Sequence, residues 1–200
     1  MNQQDFTGFV LVGGKSSRMG TDKFSLEIDG ETFLTRALNV LKPVCREVKI
    51  VLNQTQQIEI DLPFVRDVYA ERGALGGIHA ALKNCETKFA IILAIDLPNV
   101  TTGAVENLRN IALASNKFLA FVPRQTDGKP QPLCAVYRAK YCLPALEKVL
   151  GENNRASVRD FLDLISPKYI EANRLSENEN LLFNVNFPTD FEQIADYQKF

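Results

Sequence analysis

The chain has little of what metal and nucleic-acid chemistry usually needs. It contains one histidine in 200 residues, and Cys45, Cys85, Cys134 and Cys142 form no Cys-x-x-Cys pair. The ligand spacings of a zinc site are therefore missing. An excess of one charge is missing too, because 23 Lys and Arg stand against 24 Asp and Glu for a net charge of −1. Such a surface offers no broad cationic field that gathers nucleic acid by releasing counterions, so any anion site has to be local. Long apolar runs are also absent. The longest, Phe89 to Ile95, has seven residues, far short of the roughly 20 that span a bilayer. The N-terminus lacks the basic, apolar and small-residue succession of a secretory signal. The expectation is a cytoplasmic protein with reduced thiols and no membrane partner.

What is present is an ordinary globular composition, 46% hydrophobic and 24% charged. At this length one domain is expected, with a core large enough to stand without disulfides or structural metal. Short β-branched runs alternate with amphipathic helical patterns over the first 125 residues, which is the signature of βαβ units. The runs predict strands at Gly8–Val12, Val48–Asn53, Phe64–Asp67, Phe89–Ile95 and Phe118–Pro123, then Leu133–Tyr137 and a strand near Tyr169. Phe33, Leu34, Ala37, Leu38 and Leu41 share one helical stripe, and Ile78, Ala81 and Leu82 a shorter one. Further helices are predicted at Thr102–Leu113, Lys140–Leu150, Ala156–Ile165 and from Thr189. The fold class is α/β, a three-layer Rossmann-like, mostly parallel sheet.

Sheets of this kind open a crevice beyond the carboxyl ends of their strands, where ligands bind. That rule selects Gly13 onward, Asn53, Asp67, Asp96 and Arg124. The first of these loops, Gly13-Gly14-Lys15-Ser16-Ser17-Arg18-Met19-Gly20-Thr21-Asp22-Lys23, concentrates glycines and cations. Glycine brings backbone N–H groups close to an anion, and Lys15, Arg18 and Lys23 can neutralise phosphate charge. Neither the GxxxxGK[ST] spacing of a P-loop nor GxGxxG is present, which disfavours a P-loop NTPase and a nicotinamide dehydrogenase. Asp96 emerges from the most apolar strand just ahead of Leu97-Pro98. One such carboxylate suffices for magnesium, which keeps water and substrate phosphate oxygens as its other ligands. His79 reads as a partly buried structural histidine.

Leu11 to Lys23, LVGGKSSRMGTDK, resembles the LAGGxSxRMGxDK signature of the guanylyltransferases that make molybdopterin guanine dinucleotide, with Val12 in place of the usual alanine. More broadly it is similar to the GGxxxR…K loop of nucleotidyltransferases. The resemblance implies the nucleotide-diphospho-sugar transferase type of sheet, GTP and molybdopterin as substrates, and Mg2+ as cofactor. It also implies transient contact with proteins that deliver or receive the molybdenum cofactor. It places GTP on Leu11, Val12, Gly13, Gly14, Lys23, Asn53, Asp67, Gly76 and Asp96, and catalysis on Arg18, Lys23 and Asp96, with Asp96 holding the metal. Asn53 and Asp67 match family residues and equally suit turns. Gly73 to Ile78 resembles the GPLAG element, and Asp96-Leu97-Pro98 resembles the family's CDxP element, with Ile95 where the family often has cysteine. Gln131-Pro132-Leu133 resembles an HPL segment, and Asn184 to Asp190 resembles NxNTPEDL with departures at Phe187 and Thr189. Two other readings stay open: a cytidylyl- or uridylyltransferase acting on molybdopterin or a sugar or alcohol phosphate, and a nucleotide-binding protein without turnover.

Overall fold

The computed structural model describes residues 3–12, 26–56, 61–69, 71–152, 155–187, 189 and 190. Its frame is a seven-stranded sheet in the order β5-β4-β1-β6-β8-β7-β9. The strands are β1 (Phe6–Leu11), β4 (Glu47–Leu52), β5 (Phe64–Arg66), β6 (Phe89–Ala94), β7 (Ala120–Arg124), β8 (Cys134–Arg138) and β9 (Lys168–Glu171). Strand β8 runs antiparallel to β6 and β7, and every other pairing in this sheet is parallel. A mostly parallel sheet is what the alternating pattern predicts, and the strand limits agree within about two residues.

The central strands β1 and β6 are buried along their whole length. Burial on both faces is why they read as continuous apolar runs. At their start Phe6 and Phe89 stack with centroids 4.8 Å apart. The helices that cover them are α1 (Phe33–Leu41), α2 (Ala74–Lys83), α3 (Thr102–Leu113), α4 (Ala139–Glu152) and α5 (Val158–Ile165). Helix α1 packs on α3, while α2 packs on α4, which in turn packs on α5.

Local chemistry sets the helix limits. Thr32 and Thr101 cap α1 and α3 by accepting from the Thr35 and Ala104 N–H groups at 3.1 and 3.2 Å, each cap worth about 1 kcal/mol. Helix α5 starts two residues later than its pattern predicts, because Ser157 and Asp160 form a reciprocal capping box. The predicted α1 stripe is the set of residues that α1 buries.

A two-stranded hairpin ahead of α1, β2 (Glu27–Ile28) and β3 (Glu31–Thr32), is absent from the sequence reading. Its turn is Asp29-Gly30, both at positive φ, as a two-residue turn of this kind requires. The predicted final helix from Thr189 lies almost wholly outside the described residues. Among the described residues no helix is long and apolar enough to cross a membrane.

Candidate active site

Strands β1 and β6 are direct neighbours, with Leu11 opposite Ala94. The Ile95 N–H donates to the Leu11 carbonyl at 3.2 Å. The chain therefore leaves β1 toward Gly13 and leaves β6 toward Asp96 from adjacent strands, at the same end of the sheet. On the other side of β1, the Val12 N–H donates to the Val51 carbonyl at 3.1 Å, and further out the Asp67 N–H donates to the Leu52 carbonyl at 2.8 Å. Leu11, Val12, Asn53, Asp67 and Asp96 thus lie along one edge formed by four consecutive parallel strands. The predicted Gly13, Gly14, Lys15, Arg18 and Lys23 lie outside the described residues.

Gly76 joins this edge from α2. A Cβ on Gly76 would lie 2.6 Å from the Asp67 Cγ, and one on Gly77 2.9 Å from the Leu11 Cδ2. The glycine pair thus lets the first turn of α2 close onto the ends of β1 and β5. The Asp67 Oδ1 accepts from the Tyr69 N–H at 2.7 Å. Partial burial raises its carboxyl above the ordinary aspartate range, against the opposing pull of the Tyr69 N–H and His79. Asn53 turns its own loop, its Oδ1 accepting from the N–H groups of Thr55 and Gln56 at 3.0 and 2.7 Å. The turn-forming role is therefore the one visible for Asn53. The Arg66 guanidinium fixes the same turn by donating to the carbonyls of Asn53 and Gln56 at 3.0 and 2.9 Å.

Asp96 is half-buried. Its carbonyl accepts from the Val185 N–H at 2.9 Å, which lays the 181–187 segment across the ends of β6, β8 and β7. Two glutamines anchor this strap: Gln131 donates to the Asn184 Oδ1 at 2.6 Å, and Gln125 to the Leu182 carbonyl at 3.0 Å. The sequence carries no periodic signal for the strap. Only the family resemblance of Gln131 to Leu133 and Asn184 to Asp190 marks its two halves.

Two sequence-selected residues play other parts. Arg124 ends β7 but pairs with Glu171 at the end of β9, the Nε to Oε1 distance being 2.6 Å. His79 is fully rather than partly buried, at 1% exposure. It lies against the Tyr69 ring, with centroids 4.7 Å apart, and its Nε2 is 3.5 Å from the Glu147 Oε1. A cavity of about 370 Å³ lined by Arg36, Asn99, Thr101 and Asn178 opens between α1 and the start of α3. Its walls combine α1 and Glu31 of β3 with the loop that leads from Asp96 into α3, Pro98 to Thr101.

Does this donor set suit a divalent metal? Among the described residues no group of three or more His, Cys, Asp or Glu side chains could hold one. Magnesium takes one or two carboxylates and leaves its remaining positions to water and phosphate oxygens. Asp96, a hard oxygen donor at the strand ends, fits.

The family model for the MobA-like NTP transferase domain matches residues 8–168. The chain belongs to this family. Two relatives named "Probable molybdenum cofactor guanylyltransferase" share this MobA-like sequence closely. The protein from Carboxydothermus hydrogenoformans is 32% identical, covering 96% of this chain and 95% of its own, and that from Pelotomaculum thermopropionicum is 36% identical, covering 92% and 89%. The MobA-like fold recurs in molybdopterin-guanine dinucleotide biosynthesis protein A from Archaeoglobus fulgidus, with a TM-score of 0.81 at 24% identity over 96% of this chain and 98% of that one. It recurs more distantly in 2-C-methyl-D-erythritol 4-phosphate cytidylyltransferase from Thermus thermophilus, with a TM-score of 0.68 at 12% identity over 96% and 98%. The sheet is thus of the nucleotide-diphospho-sugar transferase type, and this MobA-like chain is a nucleotidyltransferase. Enzymes of the family generally use a divalent metal.

Proposed function

We propose that this nucleotidyltransferase moves GMP from GTP to the terminal phosphate of molybdenum-bound molybdopterin, releasing pyrophosphate and forming molybdopterin guanine dinucleotide. The observation that supports the reading is the pairing of β1 with β6, which brings Leu11 and Val12, the residues that precede the glycine and cation segment, to the same end of the sheet as Asp96. Nucleotidyl transfer needs a triphosphate cradle and a metal-holding carboxylate within reach of each other. Adjacent strands are the shortest way to hold the two together. The names of the relatives supply the choice of guanine and of the molybdenum cofactor, and that of the Archaeoglobus fulgidus protein supplies molybdopterin.

In this reading an oxygen of the acceptor phosphate attacks the α-phosphorus of GTP. A new P–O–P bridge forms, the bond between the α-phosphorus and the bridging oxygen breaks, and pyrophosphate leaves with the electron pair. The acceptor phosphate is already anionic near neutral pH, so no general base is required and a chain with one histidine lacks nothing. The work left to the protein is to position two mutually repelling anions and offset their charge. We assign Arg18 and Lys23 to the triphosphate, Asp96 to the metal, and Leu11, Val12, Gly13, Gly14, Asn53, Asp67 and Gly76 to the nucleotide. When bound, magnesium supplies further charge relief to the phosphate oxygens.

Pyrophosphate release with molybdopterin and magnesium, compared across GTP, CTP, UTP and ATP, tests the reading. Preference for GTP is expected. Release with CTP or UTP and not GTP would replace guanylyl transfer with cytidylyl or uridylyl transfer, and binding without release would make the chain a nucleotide-binding protein.

A further inference from the structure

Helix α2 meets the segment that follows β5 in register. Gly76 faces the Asp67 carboxylate, which fills the space a side chain there would need. His79, three residues on and so on the same face of the helix, faces the Tyr69 ring. The two rings lie edge to face, with centroids 4.7 Å apart and planes at 87°, a favoured geometry for aromatic pairs. Asp67 and Tyr69 are themselves joined, the Tyr69 N–H donating to the Asp67 Oδ1 at 2.7 Å. From α4, the Glu147 Oε1 comes within 3.5 Å of the His79 Nε2. Glu147, His79, Tyr69 and Asp67 thus form a chain of contacts from the half-exposed surface of α4 to the strand-end edge.

Histidine is an unfavourable residue for this position on stability grounds alone. It is 1% exposed, its neighbours on α2 include buried Ile78, Ala80, Ala81 and Leu82, and among the described residues its buried Nδ1 has no hydrogen-bond partner. Enclosing an unmet polar atom lowers stability, which an apolar side chain of similar size would not do. A buried polar group of this kind is therefore informative. The segment it touches supplies a reason. Residues 67–69 belong to no strand or helix, so the direction of the Asp67 carboxylate depends on tertiary contacts, and His79 brings one from a helix that is itself packed on α4.

We propose that His79 is a positioning residue for the nucleotide site: its imidazole holds the Tyr69 ring, and the Tyr69 N–H in turn aims the Asp67 carboxylate at the bound nucleotide. This rests on the reading above, in which Asp67 contacts GTP. Side chains that bind a ligand need neighbours that lock their orientation, and His79 acts through Asp67 rather than on the nucleotide itself.

The experiment measures GTP KM and kcat by pyrophosphate release with molybdopterin and magnesium, together with thermal midpoints, for wild type, His79→Leu, Asp67→Ala and the double variant. His79→Leu is expected to raise GTP KM roughly tenfold, the lower end of what losing a hydrogen bond to a charged group does, with kcat at saturating GTP unchanged. The double variant decides between positioning and general support of the fold. Once Asp67 is alanine, His79→Leu should raise KM no further, whereas a general loosening of the fold would raise KM in either background. Should His79→Leu not fold, Tyr69→Leu removes the same ring contact from its less buried side and carries the same test, alone and with Asp67→Ala. An unchanged KM in the folded single variant overturns the proposal, and so does an undiminished KM increase in the Asp67→Ala background. Failure of the underlying reading looks different and removes the proposal with it: Asp67→Ala alone would leave GTP KM at its wild-type value, or the wild type would release no pyrophosphate from GTP.

Discussion

The Asp67 carboxylate occupies the space that a side chain on Gly76 would need. A Cβ built there would lie 2.6 Å from the Asp67 Cγ, a separation that real side chains do not adopt. Gly76→Ala should therefore expel the carboxylate, break its bond with the Tyr69 N–H, and lower unfolding stability by roughly 1–3 kcal/mol. Because the obstacle is the carboxylate, the same change in an Asp67→Ala background should cost much less. Denaturant unfolding of the two single variants and the double variant gives the coupling directly. Additive costs would mean that the two residues do not compete for this space.

Burial also leaves Asp67 harder to ionise than an ordinary aspartate. A carboxyl whose pKa is higher in the folded than in the unfolded state binds its proton more tightly when folded. Its contribution to stability is complete below the unfolded value of about 3.9 and is lost as pH rises through the folded value. Measured against Asp67→Asn, which keeps the shape and never ionises, wild type should lose relative stability as pH rises above about 4 and then reach a plateau. Thermal midpoints of both proteins between acid and neutral pH check this, and a wild-type advantage that grows with pH would reverse the assignment.

Asp96→Asn keeps the side-chain volume and removes the charge. In the proposed mechanism it should cut turnover by roughly a hundredfold or more, equivalent to about 3 kcal/mol of transition-state stabilisation. Its circular dichroism and thermal midpoint should match wild type, and raising magnesium should recover part of the loss if the deficit lies in metal affinity. Wild-type kinetics in this variant would remove Asp96 from the mechanism.

The thiols make a separate, inexpensive test. Desolvation pushes Cys45, Cys134 and Cys142 up to about 12, and burial raises Cys85 as well. None is in a disulfide, and Cys85 is the least buried of the four. At pH 8 a thiol with so high a pKa is almost wholly protonated and reacts slowly. Iodoacetamide should label Cys85 first in the native protein and the other three only in denaturant, as read by peptide mass. Rapid labelling of all four in the native state would contradict the buried placement.

Much of this architecture is legible in the residue order because burial writes its own period. The α1 stripe from Phe33 to Leu41 and the unbroken run of β6 are each the direct image of the surfaces they bury. Asp96 could be singled out because strand-end positions are where such sheets bind ligands. Other features were harder to see for identifiable reasons. The hairpin before α1 has strands of only two residues each, too short to show alternation, although Asp29-Gly30 is a strong turn signal. The antiparallel course of β8 depends on how the chain returns from β7, which no local period encodes. The union of Gln131, Asn184 and Asp96 joins residues far apart in sequence through polar contacts, and these leave no hydrophobic pattern.

That union supplies a last prediction. Gln131 is almost fully buried, and its amide donates to the Asn184 Oδ1 at 2.6 Å. Replacing it with alanine removes the donor and opens a small void, at a cost of about 1–3 kcal/mol. The loss should be local, because the strap also holds the strand ends through the Val185 N–H on the Asp96 carbonyl and Gln125 on the Leu182 carbonyl. Local opening is what native-state hydrogen exchange reports. The Val185 amide should therefore exchange roughly tenfold faster in Gln131→Ala, as expected for a loss of about 1.4 kcal/mol of local protection, while amides in β1 and β6 keep their wild-type rates. A uniform increase across the sheet would show that Gln131 supports the fold as a whole, and no change at Val185 would show that the strap does not depend on this bond.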